Sequence, residues 1–339
     1  MKVEIQSKNG TSYPVILKEN SYSFLPTITA SYRQVFLVYD TCVPFSFVQQ
    51  ILQLYPTLVL YPFSSKEEKK SIKEYQKILA WLMNHRATKQ DVLLALGGGV
   101  TTDLVGFVAS TYKRGIPWIA LPSTILGAVD ASIGGKVALN FAGCKNMIGA
   151  FYPPLAVLIE PKTFASLPQR QLQNGFVEIL KVGLLQDVMI LEELEKENPS
   201  LLEVLYRSIL VKKHYVEKDE FDQGERQKLN FGHTLGHALE LSYLDVLHGE
   251  AVAYGMLCMM ENDTVLQRLL RLYRKLGIHP FFPKRHDFIR KCLQDKKRTT
   301  EQISFLVLKD YGQIETIEMD EKTCKEYVKR KEKKIWALG

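Results

Sequence analysis

Several things are scarce in this 339-residue chain, and each scarcity excludes a class of protein. There are only five cysteines, at 42, 144, 258, 292 and 324, with no CxxC pair, so neither a disulfide framework nor a cysteine zinc site is expected. Glycine (21) and proline (14) are too few for a collagen-like or low-complexity chain. No apolar run approaches the roughly 20 residues that a membrane span needs. The longest uncharged stretch, Thr41 to Ser65, is broken by Pro44, Pro56 and Pro62. The opening MKVEIQSKNG lacks the apolar region of a secretory signal. A soluble, cytoplasmic protein with reduced thiols is expected. Charge is nearly balanced: 44 Lys and Arg against 37 Asp and Glu leave a net +7. That modest excess suits anionic partners in general without choosing among them.

The first half of the chain alternates strand and helix. Val3–Gln6 and Tyr13–Leu17 read as a hairpin around Asn9-Gly10. Val35–Tyr39, Thr57–Tyr61, Val92–Leu96, Trp118–Leu121 and Leu155–Ile159 are short apolar runs, as expected of strands buried on both faces. Phe45–Leu54 and Lys66–His85 carry helical periodicity between them. Such alternation means a mainly parallel sheet covered by helices. From Phe164 the pattern becomes mostly helical, with one late strand candidate at Ile303–Leu308 and a charged, solvated helix near Lys322–Lys334. The predicted division is a Rossmann-like nucleotide-binding α/β domain over 1–162 and a mainly α-helical, metal- and substrate-binding domain over 163–339, with a cleft between them.

Three groups of residues could carry chemistry. In Asp91-VLLAL-Gly97-Gly98-Gly99-Val100-Thr101-Thr102-Asp103 a buried strand runs through three glycines into a helix start. Free N–H groups and the positive end of the helix dipole would meet a pyrophosphate there, although the spacing is not GxGxxG. A tight turn with no ligand is the plainer alternative. Asp40, just past an earlier strand, sits where such folds place an acid near a ribose. The second group is His233 and His237, four residues apart on one helix face, with His248 in the following LHGE turn. Upstream, Glu178 and Lys181 share a face of a helix over Phe176–Leu184. A catalytic zinc site takes three such ligands and leaves a fourth position open. Glu178 with two of the histidines would meet that need. HTLGH is not HExxH, so a metalloprotease base is absent. The third group is a set of cations beside glycines and amides: Lys113-Arg114-Gly115, Gly134-Gly135-Lys136 and Lys145-Asn146. Together they suit a doubly anionic small molecule, and Asp130 could orient a hydroxyl or a lysine. The residues by themselves describe a nucleotide-dependent metalloenzyme.

Seven ordered motifs then carry a resemblance. GGGVTTDLVGF, TYKRGI, LPSTILGAVDASIGGKVALN, KNMIGAFYPP, NGFVEILKVG, LNFGHTLGHALE and LHGEAVAYGM stand in the order and near-spacing of the 3-dehydroquinate synthase family. The resemblance covers about Asp40 to Lys297. It implies a homodimeric enzyme of the shikimate pathway using NAD+ and Zn2+ (or Co2+), which turns 3-deoxy-D-arabino-heptulosonate 7-phosphate into 3-dehydroquinate and phosphate. It implies Glu178, His233 and His248 as metal ligands. His237 would assist proton transfer near the substrate phosphate, and Lys136, Asn146 and Asn230 would contact that phosphate. Lys212 and Arg226 would face the carboxylate and hydroxyls, Asp130 and Lys181 the reacting hydroxyls, and Arg114 the neighbouring subunit's site. One of Lys296 and Lys297 would contact substrate. On the cofactor side it implies Asp40, Glu67, Lys70, Gly98, Gly99, Val100, Asp103, Ser123, Thr124, Leu126, Lys136, Lys145 and Ser166.

Some positions depart from the family pattern. Cys42 replaces a frequent Asn, Lys66-Glu67 replaces Gly-Glu ahead of Lys70-Ser71, Ser123 replaces a Thr, and Gln171 replaces a Glu. None touches the metal set. Another sugar phosphate cyclase, making a deoxy-inosose or valiolone-type ring, is the nearest alternative; Arg226 and Asn230 favour the dehydroquinate reading. A metal-dependent alcohol or glycerol dehydrogenase is disfavoured by VDASIGGK, KNMIGAF and Glu178. A nucleic-acid-binding protein is disfavoured because the cations lie in glycine loops rather than along a stripe.

Overall fold

The computed structural model describes residues 1–7, 10–294 and 302–338. Two compact units are present: Met1–Pro168 with Lys212–Asp222, and Gln169–Val211 with Gln223–Gly339.

The first unit is built on seven strands: β1 (Lys2–Gln6), β2 (Ser12–Leu17), β3 (Val35–Asp40), β4 (Val59–Phe63), β5 (Val92–Gly97), β6 (Trp118–Pro122) and β9 (Ala156–Ile159). Their order across the sheet is β1-β2-β9-β6-β5-β3-β4. Only β1 and β2 pair antiparallel; every other neighbouring pair is parallel. That hairpin matches the sequence pattern, although Asn9 of its expected turn lies outside the described residues. Leu37 of β3 faces Leu60 on one side and Leu94 on the other, so the apolar runs are buried because strands flank them and helices cover them. Leu37, Leu94 and Leu121 pack with Val48 and Ile51 of α2 (Phe45–Leu54), beside the short helix α1 (Leu25–Ile28). The alternate residue Phe36 points the other way, onto Trp81 of α3 (Ile72–Asn84). The helix α4 (Gly99–Thr111) follows β5.

Two details differ from the expected elements. The strand expected at Thr57–Tyr61 lies two residues later, at Val59–Phe63, and contains Pro62. A proline is tolerated there because β4 is an edge strand. The helix expected from Lys66 is a short 3-10 turn, Glu67–Lys69, and then α3, which begins after Ser71 because the Ser71 side chain accepts from the Glu74 N–H. A ribbon of β7 (Lys136–Phe141) and β8 (Cys144–Phe151) was not foreseen.

The second unit contains α5 (Gln169–Leu185), α6 (Met189–Glu195), the first part of α7 (Leu201–Lys218), α8 (His233–Glu240), α9 (His248–Cys258), α10 (Asp263–Leu276), α11 (Ile289–Gln294) and α12 (Glu321–Leu338). A two-stranded ribbon, β10 (Ile303–Asp310) with β11 (Gln313–Met319), lies beside them. The last turns of α7 group with the first unit. There Lys213 Nζ donates to the Glu4 carbonyl at 2.7 Å, and Glu217 accepts from the Gln6 N–H at 2.7 Å. Among the described residues no helix is long and apolar enough to cross a membrane.

Candidate active site

The three residues that the resemblance implies as metal ligands come from three helices of the second unit. Glu178 and Lys181 lie one turn apart on α5, both almost fully buried, and form an ion pair. His233 is the first residue of α8 and His248 the first of α9. The two helices meet along a seam of small residues. A side chain on Gly232, whose φ is +80°, would sit 2.9 Å from the Val252 carbonyl oxygen, and one on Gly236 would crowd Val252. Only glycine serves at 232, for both reasons. Close packing brings the rings of His233 and His248 to 5.1 Å, with His237 at 5.3 Å from His233.

These side chains converge on one atom. Nε2 of His233 lies 3.6 Å, and Nε2 of His248 3.5 Å, from Oε1 of Glu178. That oxygen is buried and makes no hydrogen bond of ordinary geometry. A buried carboxylate oxygen left so is costly, and a cation between the three groups would satisfy it. One ligand atom from each of Glu178, His233 and His248 falls within 4.8 Å of the others. This is a three-donor N/O set of the kind that divalent zinc or cobalt takes.

The three groups are tuned differently, and His248 must give up a proton before its Nε2 can meet a cation. Burial pushes the Glu178 carboxyl up, but Lys181 and then the two histidines outweigh it and hold it well below its ordinary value. Burial, reinforced by Lys181, holds His233 well below the ordinary imidazole value despite Glu178. Burial also lowers His248, but the carboxylates of Glu178 and Glu240 overcome it and push it up to about 10.

In the first unit, β5 ends at Gly97 and α4 begins at Gly99. A side chain on Gly97 would lie 2.4 Å from Thr101 Oγ1, and one on Gly98 would lie 3.0 Å from Thr124 Cγ2. The turn therefore stays bare, and the first N–H groups of α4, with Val100 and Asp103 in its first turns, are those a pyrophosphate would meet. Lys70 is buried and donates to Asp103 at 2.5 Å and to Asn146. Burial, only partly offset by Lys70, holds the Asp103 carboxyl above its ordinary range. Asp40 is the last residue of β3 rather than beyond it; it accepts from the Cys42 N–H at 3.0 Å and from Ser65. Glu67 accepts from Asn140 Nδ2 at 2.7 Å, and Asn140 Oδ1 accepts from the Asn146 N–H at 2.9 Å.

The remaining predicted residues of this unit fall as follows. Ser123 donates its N–H to the Gly97 carbonyl at 2.9 Å, and Thr124 Oγ1 accepts from the Gly127 N–H at 3.0 Å, just past Leu126. Asp130 pairs with Lys212, and Lys136 with Asp222. Lys145 is exposed on β8. Arg114 is exposed in a left-handed run with Lys113 and Gly115 at φ 50°, 64° and 111°. The Ser166 hydroxyl donates to the Thr163 carbonyl at 2.7 Å.

In the second unit, Arg226 is buried in the 3-10 segment Glu225–Asn230, which also holds Asn230. Lys296 and Lys297 lie outside the described residues. The structure thus groups Glu178, Lys181, His233, His237 and His248, and separately Lys70, Asp103 and Asn146. Sequence reasoning missed three partners. Asn140 and Glu240 were inside quoted motifs, VALN and GHALE. Asp222 had no local signal, being 86 residues from Lys136.

Comparison with known proteins decides the family. A family model described as the N-terminal part of 3-dehydroquinate synthase matches residues 60–174, and one for its C-terminal part matches residues 175–298. A 3-dehydroquinate synthase of Listeria welshimeri is 36% identical, with 97% of each chain covered. The chain belongs to the 3-dehydroquinate synthase family. A second 3-dehydroquinate synthase, from Dictyoglomus thermophilum, is 35% identical over 94% of each chain. Among solved structures, the 2-epi-5-epi-valiolone synthase of Streptomyces hygroscopicus subsp. jinggangensis, with NAD+ and Zn2+ bound, superposes with a TM-score of 0.84 at 25% identity, covering 97% of this chain and 99% of that one. A 2-deoxy-scyllo-inosose synthase in complex with carbaglucose-6-phosphate, NAD+ and Co2+ gives 0.86 at 22% identity, covering 97% and 100%, and shares the fold. The dehydroquinate synthase-like α/β plus helical architecture is therefore the one the sequence implied. A probable glycerol dehydrogenase is more distant, at 0.64 and 15%, covering 95% and 97%.

Proposed function

We propose that this chain is a 3-dehydroquinate synthase, a carbon–oxygen lyase that converts 3-deoxy-D-arabino-heptulosonate 7-phosphate into 3-dehydroquinate and phosphate. It works as a homodimer with NAD+ and a divalent zinc or cobalt ion. The carrying observation is the unpartnered Oε1 of Glu178 facing Nε2 of His233 and His248, in a chain of this family. We place it in the cytoplasm, where its five free cysteines stay reduced.

Glu178, His233 and His248 would hold the metal, and the turn Gly98-Gly99 with the start of α4 would hold the NAD+ pyrophosphate. Bound there, the ion would lower the pKa of a substrate hydroxyl and the nicotinamide would accept and return a hydride. The chain's own side chains do the rest. Asp130 and Lys181 hold the reacting hydroxyls, Lys212 and Arg226 the carboxylate side, and Lys136, Asn146 and Asn230 the phosphate. Oxidation at C5 acidifies the C6 proton, so phosphate leaves by elimination. His237 assists that proton transfer from beside the phosphate. Reduction, ring opening and an aldol closure follow while the substrate stays gripped at both ends, which is why so many cations serve one small molecule. Retained Arg226 and Asn230 favour this substrate over those of the inosose and valiolone cyclases.

The test is phosphate release from the heptulosonate phosphate with catalytic NAD+ and Zn2+, while absorbance at 340 nm is followed. Phosphate without net NADH, abolished by chelation or by His233→Ala, is expected. Stoichiometric NADH would point to a dehydrogenase. No turnover with both cofactors demonstrably bound would point to a different sugar phosphate.

A further inference from the structure

We propose that Glu240 is a positioning residue: it fixes the tautomer and orientation of His248 so that Nε2, and not Nδ1, is presented to the metal. The inference rests on the functional reading above and deepens it.

The two ligand histidines have the same half of the ring committed. Nδ1 of His233 lies 3.1 Å from the Phe231 carbonyl oxygen. A carbonyl can only accept, so Nδ1 carries the proton and Nε2 is the lone-pair nitrogen. Nδ1 of His248 lies 3.2 Å from Oε2 of Glu240, and its Nε2 faces Glu178 at 3.5 Å. An ionised carboxylate likewise only accepts, so once a cation takes Nε2 the proton that His248 keeps is the Nδ1 proton held by Glu240, the tautomer that the Phe231 carbonyl imposes on His233. Glu240 is itself buried, at 8% exposure, so water screens this contact little. It stands two helical turns after His233 on α8, whereas His248 opens α9. The contact therefore also sets the ring's tilt across the seam between the two helices. A carboxylate behind a ligating imidazole raises its basicity as well as fixing it.

The same geometry admits a rival role. His237, Glu240 and His248 also offer ligand atoms within 4.8 Å of one another. His248 Nδ1 cannot both donate to Glu240 and ligate an ion beside it, so the two roles exclude each other.

The experiment measures Zn2+ affinity and stoichiometry by chelator competition, and the visible spectrum of the Co2+-loaded protein, for the wild type, Glu240→Ala, Glu240→Gln and Glu178→Gln. Thermal melts of the metal-free proteins run alongside. Glu240→Ala is expected to weaken Zn2+ binding about 10- to 100-fold and to shift the Co2+ bands. Glu240→Gln keeps an acceptor but loses the charge, so it should fall between the wild type and Glu240→Ala. One equivalent of metal should bind throughout, except in Glu178→Gln. Affinity within twofold of wild type in both Glu240 variants overturns the proposal. Two equivalents in wild type and one in Glu240→Ala also overturn it, making Glu240 a ligand. Should Glu240→Ala not fold, Glu240→Gln alone decides by the same twofold limit. A wild type that binds no more Zn2+ than Glu178→Gln overturns the functional reading itself, and the proposal with it.

Discussion

Gly255 of α9 packs so closely on Gly232, the residue that caps the start of α8, that a methyl group on Gly255 would sit 2.0 Å from the Gly232 carbonyl oxygen. The obstacle is backbone, so no rotamer change relieves it. Gly255→Ala must push the two helices apart, and His233 and His248 open those helices. We expect a loss of about 1–3 kcal/mol in stability from overpacking and a larger proportional loss in metal affinity, read by urea melts and chelator competition. Gly236→Ala faces contacts of 3.1–3.2 Å with Val252 and should do less on both counts. Equal effects of the two substitutions would contradict the seam as the determinant of ligand spacing.

Glu178 and Lys181 form a buried pair, each side chain 2% exposed. Removing one partner strands the other's charge away from water, at about 3–5 kcal/mol. Glu178→Gln should therefore destabilise the metal-free protein by about that much, besides abolishing metal binding and turnover. Lys181→Met added to Glu178→Gln removes the stranded cation and should recover most of the melting temperature while activity stays absent. Failure of the second substitution to restore stability would mean that the ion pair is not what Glu178→Gln disrupts.

What the sequence made legible was whatever has short-range chemistry. The apolar runs of β3, β5 and β6 announced a buried parallel sheet because the residues of Leu93–Leu96, which alternate between the two faces, are all fully buried. The glycine turn and the histidine helix announced themselves by residue type. The β7-β8 ribbon did not. It turns through Ala142-Gly143, both at positive φ, a two-residue turn for which Asn-Gly or Asp-Gly is the usual signal. Six of the eight β8 residues are exposed, without the alternation of a half-buried strand over Cys144–Met147, which are exposed throughout. Asp222, opposite Lys136, was illegible for another reason: a pairing across 86 residues leaves no periodicity to read.

Lys70 couples two places that the resemblance assigns separately, since its ammonium holds both Asp103 at the α4 turn and Asn146 on the ribbon. Lys70→Met should weaken NAD+ binding and raise the KM for the sugar phosphate together. With its cation gone, Asp103, already pushed above the ordinary range by burial, would favour the protonated form further. Isothermal titration with NAD+ and steady-state kinetics check this. A change confined to NAD+ affinity, with KM for substrate untouched, would show that Asn146 does not depend on Lys70.

Asp91, fully buried just before β5, accepts from Arg33 Nε and Nη2 at 2.9 and 2.7 Å and from the Thr88 N–H and hydroxyl at 2.6 and 3.1 Å. Burial raises its pKa, but the Arg33 and Thr88 bonds with the Arg33 charge outweigh it, so the carboxyl is held below its ordinary value. The unfolded chain, with an ordinary value near ~3.9, then binds the proton first as pH falls. The stabilisation is therefore complete above that value and is lost as pH drops through the lower native one. Asp91→Ala strands the Thr88 donors, and we expect it to lose about 1–3 kcal/mol at pH 7. Arg33→Met should lose at least as much, because it strands the fully buried carboxylate without its counter-charge and leaves it only the Thr88 donors. In urea melts from pH 7 downward, the gap between wild type and Asp91→Ala should hold to about pH 4–5 and narrow below it. A gap that closes already between pH 7 and 5 would mean that a histidine, not Asp91, governs the acid sensitivity of this strand.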